Sequence, residues 1–199
     1  MSSIWPLLVL FAQLIENGPV LSYETVPGEV LPFIDHENRA IFIKRVDLNG
    51  DHRDDYLLIF QQAAGEKDEI QGSDRPLVIL TREKNGQLAV AARSDKLVLC
   101  ESCGGVRGDP FVDIDVAPNS FTVRLAGGSS WLWREQFSFR YERGSHQWFL
   151  SEVITHLAHV GGDPKEHSEI YRPSDFGRIE LSHFNHDAWQ QLFARNTIP

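Results

Sequence analysis

Residues 47–60 read Asp-Leu-Asn-Gly-Asp-His-Arg-Asp-Asp-Tyr-Leu-Leu-Ile-Phe, a polar loop that runs directly into an apolar segment. The apolar half is aliphatic and aromatic, which favours a β-strand over a helix. The polar half contains Asn-Gly and several aspartates, which are typical of tight turns between strands. The stretch therefore predicts a loop that opens a strand in a mainly β protein.

The same loop carries oxygen-bearing side chains at alternate positions. A hard cation takes about 6–8 oxygen ligands, and oxygens at positions 1, 3, 5 and 9 of a loop, with the carbonyl of position 7, have the spacing of a calcium loop. The predicted Ca²⁺ ligands are Asp47, Asn49, Asp51, the carbonyl of Arg53, and Asp55.

Two features separate this loop from a helix-loop-helix calcium hand. Position 12 is Leu58 and not the bidentate glutamate, and the loop leads into a strand. His52 stands at position 6, where glycine is usual, so it would enter the left-handed region at some cost. The alternative is a polar hairpin turn that binds no metal.

Composition bounds the class of protein. With 199 residues, 42% of them hydrophobic, the chain is long enough for one globular domain with a real core. The net charge of −9 and the lack of a long basic run argue against nucleic acid as a partner. No run of about 18 apolar residues is present, so no transmembrane helix is predicted.

The order of turns and apolar segments predicts a mainly β fold, a single compact domain of antiparallel meandering sheets over 20–199. Residues 1–19 are a separate apolar segment, either an altered export signal or a short N-terminal helix. Residues 161–172 are predicted as a surface loop and 185–195 as a C-terminal helical cap. The predicted strands are 20–25, 40–46, 56–61, 76–82, 88–94, 112–116, 120–125, 135–142 and 147–156.

The two cysteines, Cys100 and Cys103, are too few for a four-cysteine zinc site. A redox C-x-x-C motif needs a helix N-terminus, whereas an apolar strand precedes this pair and two glycines follow it. We therefore predict a structural disulfide in an exported protein, with a redox pair or two free thiols as the alternatives.

Residues 127–133 read Gly-Gly-Ser-Ser-Trp-Leu-Trp between two predicted strands. Small residues at a loop tip can reach into a narrow cleft, and an aromatic residue can anchor the contact. The predicted partner-binding residues are Gly127, Gly128, Ser129, Ser130 and Trp131. The alternative is a tight turn whose tryptophans pack in the core.

Motifs for catalysis are missing from the sequence. The histidine pairs 156/159 and 183/186 are spaced i, i+3 without a zinc-protease pattern, and no nucleophile elbow, phosphate loop or dinucleotide fingerprint is present. The chain is therefore predicted not to be an enzyme.

Several segments in a fixed order resemble a family of bacterial exported proteins and lipoproteins related to calcium-binding FG-GAP/VCBS-type β-propeller modules. These segments are 47–55 with its strand, 75–80, Cys-Glu-Ser-Cys-Gly-Gly at 100–105, Gly-Asp-Pro-Phe at 108–111, 127–133, and Phe-Ser-Phe-Arg-Tyr at 137–141 ahead of Trp148. The resemblance covers roughly residues 15–180. It implies a β-propeller-like fold with a Ca²⁺ site and an inhibitory surface loop.

The resemblance includes periplasmic immunity proteins that inhibit lysozyme-like peptidoglycan hydrolase effectors. It thus implies an inhibitor in the periplasm or cell envelope whose partner is a cognate effector of a secretion system. The sequence does not fix the oligomeric state, and a monomer is favoured. An acidic chain suits a basic partner. Two alternatives remain: a calcium-binding structural or interaction module, and a C-x-x-C redox protein.

Overall fold

The computed structural model describes residues 26–35, 38–62, 75–162 and 166–192. These residues confirm a mainly β fold, whereas the predicted N-terminal segment 1–19 and strand 20–25 lie outside them. The described residues form nine strands: β1 Asn38–Val46, β2 Asp55–Gln62, β3 Arg75–Arg82, β4 Leu88–Val98, β5 Phe111–Ala117, β6 Ser120–Gly128, β7 Trp131–Glu142, β8 Gln147–His159 and β9 His167–Tyr171.

The strands form two sheets in which each strand pairs with its neighbour along the chain. Sheet A has the order β1-β2-β3-β4, and sheet B has the order β5-β6-β7-β8-β9. All pairs are antiparallel, as expected for strands joined by short turns. The described residues thus show two antiparallel meanders, and they do not show a closed barrel or a propeller.

One hydrophobic core is shared by both sheets, because alternate residues of each strand face it. Leu57 and Ile79 of sheet A belong to the same buried cluster as Val123 and Phe137 of sheet B. The opposite face of sheet A has its own smaller cluster, to which the segment before β1 contributes Val30.

The meanders give the molecule two ends. The end that we call the aspartate end contains the 47–54 loop and the turns β3–β4, β5–β6 and β7–β8. The other, the disulfide end, contains the β4–β5 loop with both cysteines, the β6–β7 turn and the start of the β8–β9 connection. The predicted metal loop and the predicted partner loop therefore lie at opposite ends.

Two short helices, α1 Pro173–Phe176 and α2 His186–Leu192, follow sheet B. Trp189 of α2 packs edge-on against Phe137 in the core, which confirms a helical cap within 185–192. The described helices are all too short to span a membrane.

The prediction of a surface loop over 161–172 is wrong in its second half, because β9 lies there. Strand β9 pairs with β8 from His167↔Leu157 to Tyr171↔Val153. Its sequence is polar because it is an edge strand with exposed and half-buried residues, and pairing with β8 compensates for its weak local pattern.

Candidate cation loop and partner-binding surface

Asp47 organises the first half of the polar loop at the aspartate end. Its Oδ1 accepts the backbone N–H of Gly50 at 2.7 Å, and its Oδ2 accepts that of His52 at 3.0 Å. Oδ1 also accepts the N–H groups of Asn49 and Asp51, both at 3.3 Å. One carboxylate therefore accepts four backbone N–H groups, and the chain coils around it.

His52 adopts the left-handed conformation, with φ of 66°. The sequence predicted this conformation from the usual glycine at position 6, and the structure confirms it. The hydrogen bond from His52 N–H to Asp47 helps to hold a conformation that is costly for a residue with a Cβ.

Asp55, whose side chain is fully buried, holds the second half of the loop in place. Oδ2 accepts the N–H of Leu48 at 2.9 Å, and Oδ1 accepts the N–H of Arg82 at 2.9 Å. Asp55 thus closes the loop on itself and joins it to the end of β3. It is the first residue of β2, so the apolar strand and the polar loop meet at this carboxylate.

Asp51 and Asn49 lie between these two anchors. Asn49 Oδ1 accepts the N–H of Asp51, and Asp51 Oδ1 accepts the N–H of Arg53, both at 2.9 Å. The Arg53 guanidinium donates to Asp51 Oδ2 at 3.0 Å. An arginine side chain thus already neutralises one of the predicted ligand carboxylates.

The electrostatics of the loop follow from these contacts. Burial opposes ionisation of Asp47, but the backbone N–H groups of His52, Gly50, Asn49 and Asp51 hold its pKa below the ordinary value. Burial raises the pKa of Asp55, although the N–H groups of Arg82 and Leu48 act to lower it. The charges of Asp51 and Asp47 raise this pKa further. The three carboxylates therefore lie close enough to repel one another, and a cation would relieve that repulsion.

The chemistry of the donors suits a hard cation, since three carboxylates, one amide oxygen and one carbonyl are oxygen ligands of the kind that Ca²⁺ prefers. Among the described residues, no three or more His, Cys, Asp or Glu side chains are arranged as a metal-binding group. Calcium binding by Asp47, Asn49, Asp51, Arg53 and Asp55 thus stays a prediction.

The aspartate loop also contacts sheet B. Arg143 in the β7–β8 turn donates to the carbonyl of Gly50 at 3.4 Å, and a Cβ on Gly50 would clash with the side chain of Asn119 in the β5–β6 turn. Gly50 has a φ of 73°, so glycine is needed here both for conformation and for space. The loop is therefore one of the places where the two sheets meet.

At the disulfide end, the sulfurs of Cys100 and Cys103 lie at disulfide distance, which confirms the predicted pairing. Cys100 is buried and follows the end of β4, and Cys103 N–H donates to its carbonyl at 3.1 Å. The pair therefore sits in a turn and not at a helix N-terminus, so the geometry lends no support to a low-pKa redox thiol.

A buried arginine holds the disulfide loop. The Arg75 side chain is 1% exposed and donates through Nη1 and Nη2 to Asp109 Oδ1 and Oδ2 at 2.6 and 2.8 Å. Nη2 also donates to Gln61 Oε1 at 3.0 Å, and Gln61 Nε2 donates to Glu101. Both flanks of the loop, at Glu101 and Asp109, are thus tied to the ends of β2 and β3.

The disulfide loop packs backbone to backbone on the β6–β7 hairpin. Gly128 N–H donates to the carbonyl of Gly104 at 2.9 Å. A Cβ on Gly127 would clash with that carbonyl and with the ring of Trp133, and a Cβ on Gly105 would press on Gly128. These glycines are needed because two chain segments approach closely.

The predicted partner loop at 127–133 is largely strand. Strand β6 continues to Gly128 and β7 begins at Trp131, so the turn itself consists of Ser129 and Ser130, both exposed. The Ser130 carbonyl accepts the N–H of Val160, and Trp131 packs edge-on against His159. The hairpin tip is therefore held on one side by the disulfide loop and on the other by the end of β8.

Two buried ionic contacts were not predicted from the sequence. Arg75 and Asp109 are 34 positions apart, and only the fold brings them together. The buried pair of Glu135 and His186, joined at 2.7 Å, is likewise a tertiary contact. A charged residue at the start of an otherwise apolar strand was the one available signal for Arg75.

Comparisons with protein-family models, curated proteins and solved structures found no match. No family assignment follows from them. The function is therefore inferred from the loop at the aspartate end, from the surface at the disulfide end, and from the resemblance carried by the sequence motifs.

Proposed function

We propose that this protein is an inhibitor that binds a secreted peptidoglycan hydrolase and blocks its active cleft. The observation that carries the proposal is the interlocked surface at the disulfide end, where the β6–β7 hairpin is bonded to two neighbouring segments. The resemblance to immunity proteins supplies the class of partner. The proposal includes a periplasmic or cell-envelope location, where a disulfide is stable.

Rigidity is the physical reason to place the contact here. The hairpin tip is ordered before any partner arrives, so binding costs less conformational entropy than ordering a free loop would. Ser129 and Ser130 are exposed, and their hydroxyls can donate to and accept from polar groups of a cleft. Trp131 is half-buried beside the turn, where it can add contact area.

The aspartate loop has a supporting role in this proposal. It lies at the other end of the molecule and contacts both sheets through Asp55 and Gly50. Bound Ca²⁺ would stabilise the scaffold without touching the partner.

Each meander also has the nearest-neighbour strand order of a propeller blade, which is the support for a propeller-like relationship.

A second candidate is a calcium-binding structural or interaction module with another ligand. The contact between the aspartate loop and Arg143 favours it, because a cation there would reinforce the joint between the sheets whatever the disulfide end binds. Calcium binding is common to both candidates, so inhibition of a hydrolase is what separates them.

The test is an inhibition assay with the full-length protein. Isolated sacculi are incubated with purified muramidases, which cleave glycosidic bonds, or with purified peptidoglycan amidases and endopeptidases. The release of soluble fragments is measured with and without the protein. We expect the protein to slow a hydrolase. The double change Ser129→Ala and Ser130→Ala should weaken inhibition by about 1–3 kcal/mol if both hydroxyls are buried against the enzyme.

Ser145→Ala is the matched control, because Ser145 is an exposed serine in a turn at the aspartate end. It should inhibit as the parent does. If the double variant also inhibits as the parent does, the hairpin is not the inhibitory element. If no hydrolase is slowed, the inhibitor proposal is wrong and the calcium-module candidate replaces it.

A further inference from the structure

A groove beside the C-terminal helix has no part in the proposed inhibition. It lies between the start of β8, the segment that joins α1 to the 3-10 turn Leu181–His183, and α2. Its volume is about 670 Å³. Pockets that bind small molecules usually have volumes of about 300–1,000 Å³. The groove is therefore of the right size for one small molecule.

The most deeply buried side chains that line the groove are aromatic. Phe184 and Trp189 are both 3% exposed, and Phe149 and Phe176 are half-buried. The ring of Phe176 packs against that of Trp189 with 5.8 Å between their centroids, and Trp189 is itself packed in the core. The rings are thus held in place before a ligand arrives, so an apolar body can be buried against them with little further ordering.

Two carboxylates lie among the more exposed residues of the groove. Asp175 Oδ2 accepts the backbone N–H of Arg172 at 2.7 Å, and Glu180 Oε1 accepts the hydroxyl of Ser182. His183 also lines the groove and lies 4.0 Å from Glu180, with its side chain 79% exposed. In the part of the chain that the structure describes, neither carboxylate forms an ion pair with a lysine or an arginine.

Arg178 lines the groove as well, but its charge is already balanced. Its guanidinium donates to Glu142 and lies 3.9 Å from the centroid of the Phe149 ring. That contact shows that a ring of this groove takes a cation on its face. With histidine counted as neutral, the charge left over in the groove is that of Asp175 and Glu180.

We propose that this groove binds a small organic cation with an apolar or aromatic body. The body packs against Phe176 and Trp189, and the positive group lies near Asp175 and Glu180. The negative faces of aromatic rings attract a cation in the same place where the carboxylates do, whereas an apolar anion meets two like charges. The site is separate from the hairpin at Ser129, so it does not depend on the proposed inhibition.

The test uses two probes of the same shape and opposite charge, tetraphenylphosphonium and tetraphenylborate. Each is titrated into the full-length protein at low ionic strength, and binding is measured by calorimetry. We expect the phosphonium to bind about tenfold more tightly than the borate. The double change Asp175→Asn and Glu180→Gln keeps acceptors for both local hydrogen bonds, and it should weaken phosphonium binding by about fivefold or more.

A matched control removes the same charge elsewhere. The double change Glu83→Gln and Asp113→Asn affects two exposed carboxylates outside the groove and alters the net charge equally. It should bind the phosphonium within about twofold of the parent, since surface changes away from a contact have small effects. This comparison separates the groove from a general attraction of cations to a chain of net charge −9.

A second pair of variants tests the place of binding. Ala188 is exposed on α2 and lines the groove, so Ala188→Trp should fill it and abolish phosphonium binding. Gln191 is exposed on the same helix and is not a lining residue, so Gln191→Trp should bind as the parent does. Thermal unfolding confirms that each variant is folded.

Three results would overturn the proposal. If the borate binds as tightly as the phosphonium, the carboxylates do not select the ligand. If Ala188→Trp binds the phosphonium as the parent does, the cation lies elsewhere. If the parent does not bind the phosphonium, the groove is not a cation site, and a change from dimer to monomer in Ala188→Trp on sedimentation would show that a second copy of the chain occupies it.

Discussion

Removing the carboxylate of Asp109 should destabilise the protein far more than removing the guanidinium that it binds. The Arg75 side chain is 1% exposed and the Asp109 side chain is 43% exposed. In Asp109→Asn the arginine stays buried beside a neutral amide, and an uncompensated buried charge costs about 3 kcal/mol or more. In Arg75→Met an apolar chain fills most of the volume and the aspartate turns to water, so the cost is about 1 kcal/mol.

The measurement is thermal and urea unfolding at neutral pH with the disulfide intact, followed by tryptophan fluorescence. For a chain of this length each kcal/mol lowers Tm by about 2–4 °C, so we expect Asp109→Asn to lower it by about 6–12 °C and Arg75→Met by about 2–4 °C. In the Arg75→Met background, Asp109→Asn should cost almost nothing further, because no buried charge remains.

An exposed pair of the same length supplies the control. Arg45 and Asp54 also approach to 2.6 Å, but their side chains are 61% and 51% exposed. Asp54→Asn should therefore cost less than about 0.5 kcal/mol. If Asp109→Asn proves no more costly than Arg75→Met, or no more costly than Asp54→Asn, burial of the charge is not what makes the Arg75 contact important.

Three further predictions concern the aspartate loop and the disulfide. Asp51→Ala should lower Tm in millimolar calcium and change it little in chelator, and equal Tm values of the parent protein in the two buffers would contradict calcium binding. Burial raises the folded-state pKa of Asp55, so the free energy of unfolding in chelator should fall as pH rises from about 4, the ordinary aspartate range, through that raised pKa. Urea titrations of Asp55→Asn should show a shallower fall. Cys100 and Cys103 should resist a thiol reagent until reduced, and two reactive thiols in protein from an oxidising compartment would contradict the structural disulfide.

Local patterns were enough to predict most of the strands. Phe137 and Phe139 alternate with polar residues, and turn dipeptides such as Asn85-Gly86 separate the segments, so eight of the nine predicted strands correspond to observed ones. These features depend on neighbours in sequence. Strand β9 was missed because its sequence is polar and its pairing with β8 depends on the fold.

For the candidate sites too, local features could be predicted from the sequence and tertiary contacts could not. The loop around Asp47 was predictable, since its ligand spacing and the left-handed conformation of His52 are local properties. The role of Asp55 as an acceptor for Arg82 N–H was not, because β3 supplies that donor from 27 residues away.

The long pairing of β6 with β7 has a mechanical consequence. Nine consecutive residue pairs run from Ser120↔Arg140 at the aspartate end to Gly128↔Leu132 at the hairpin tip. The hydrogen bonds of an antiparallel ladder stand perpendicular to its strands. A pull on the tip along the strands draws β6 and β7 together, so it loads the ladders that join them to β5 and β8 in shear, where many bonds share the load. Peeling would instead break the bonds one at a time. A partner dragged away from the tip should detach before the hairpin yields, so the tip can bear tension without losing its shape.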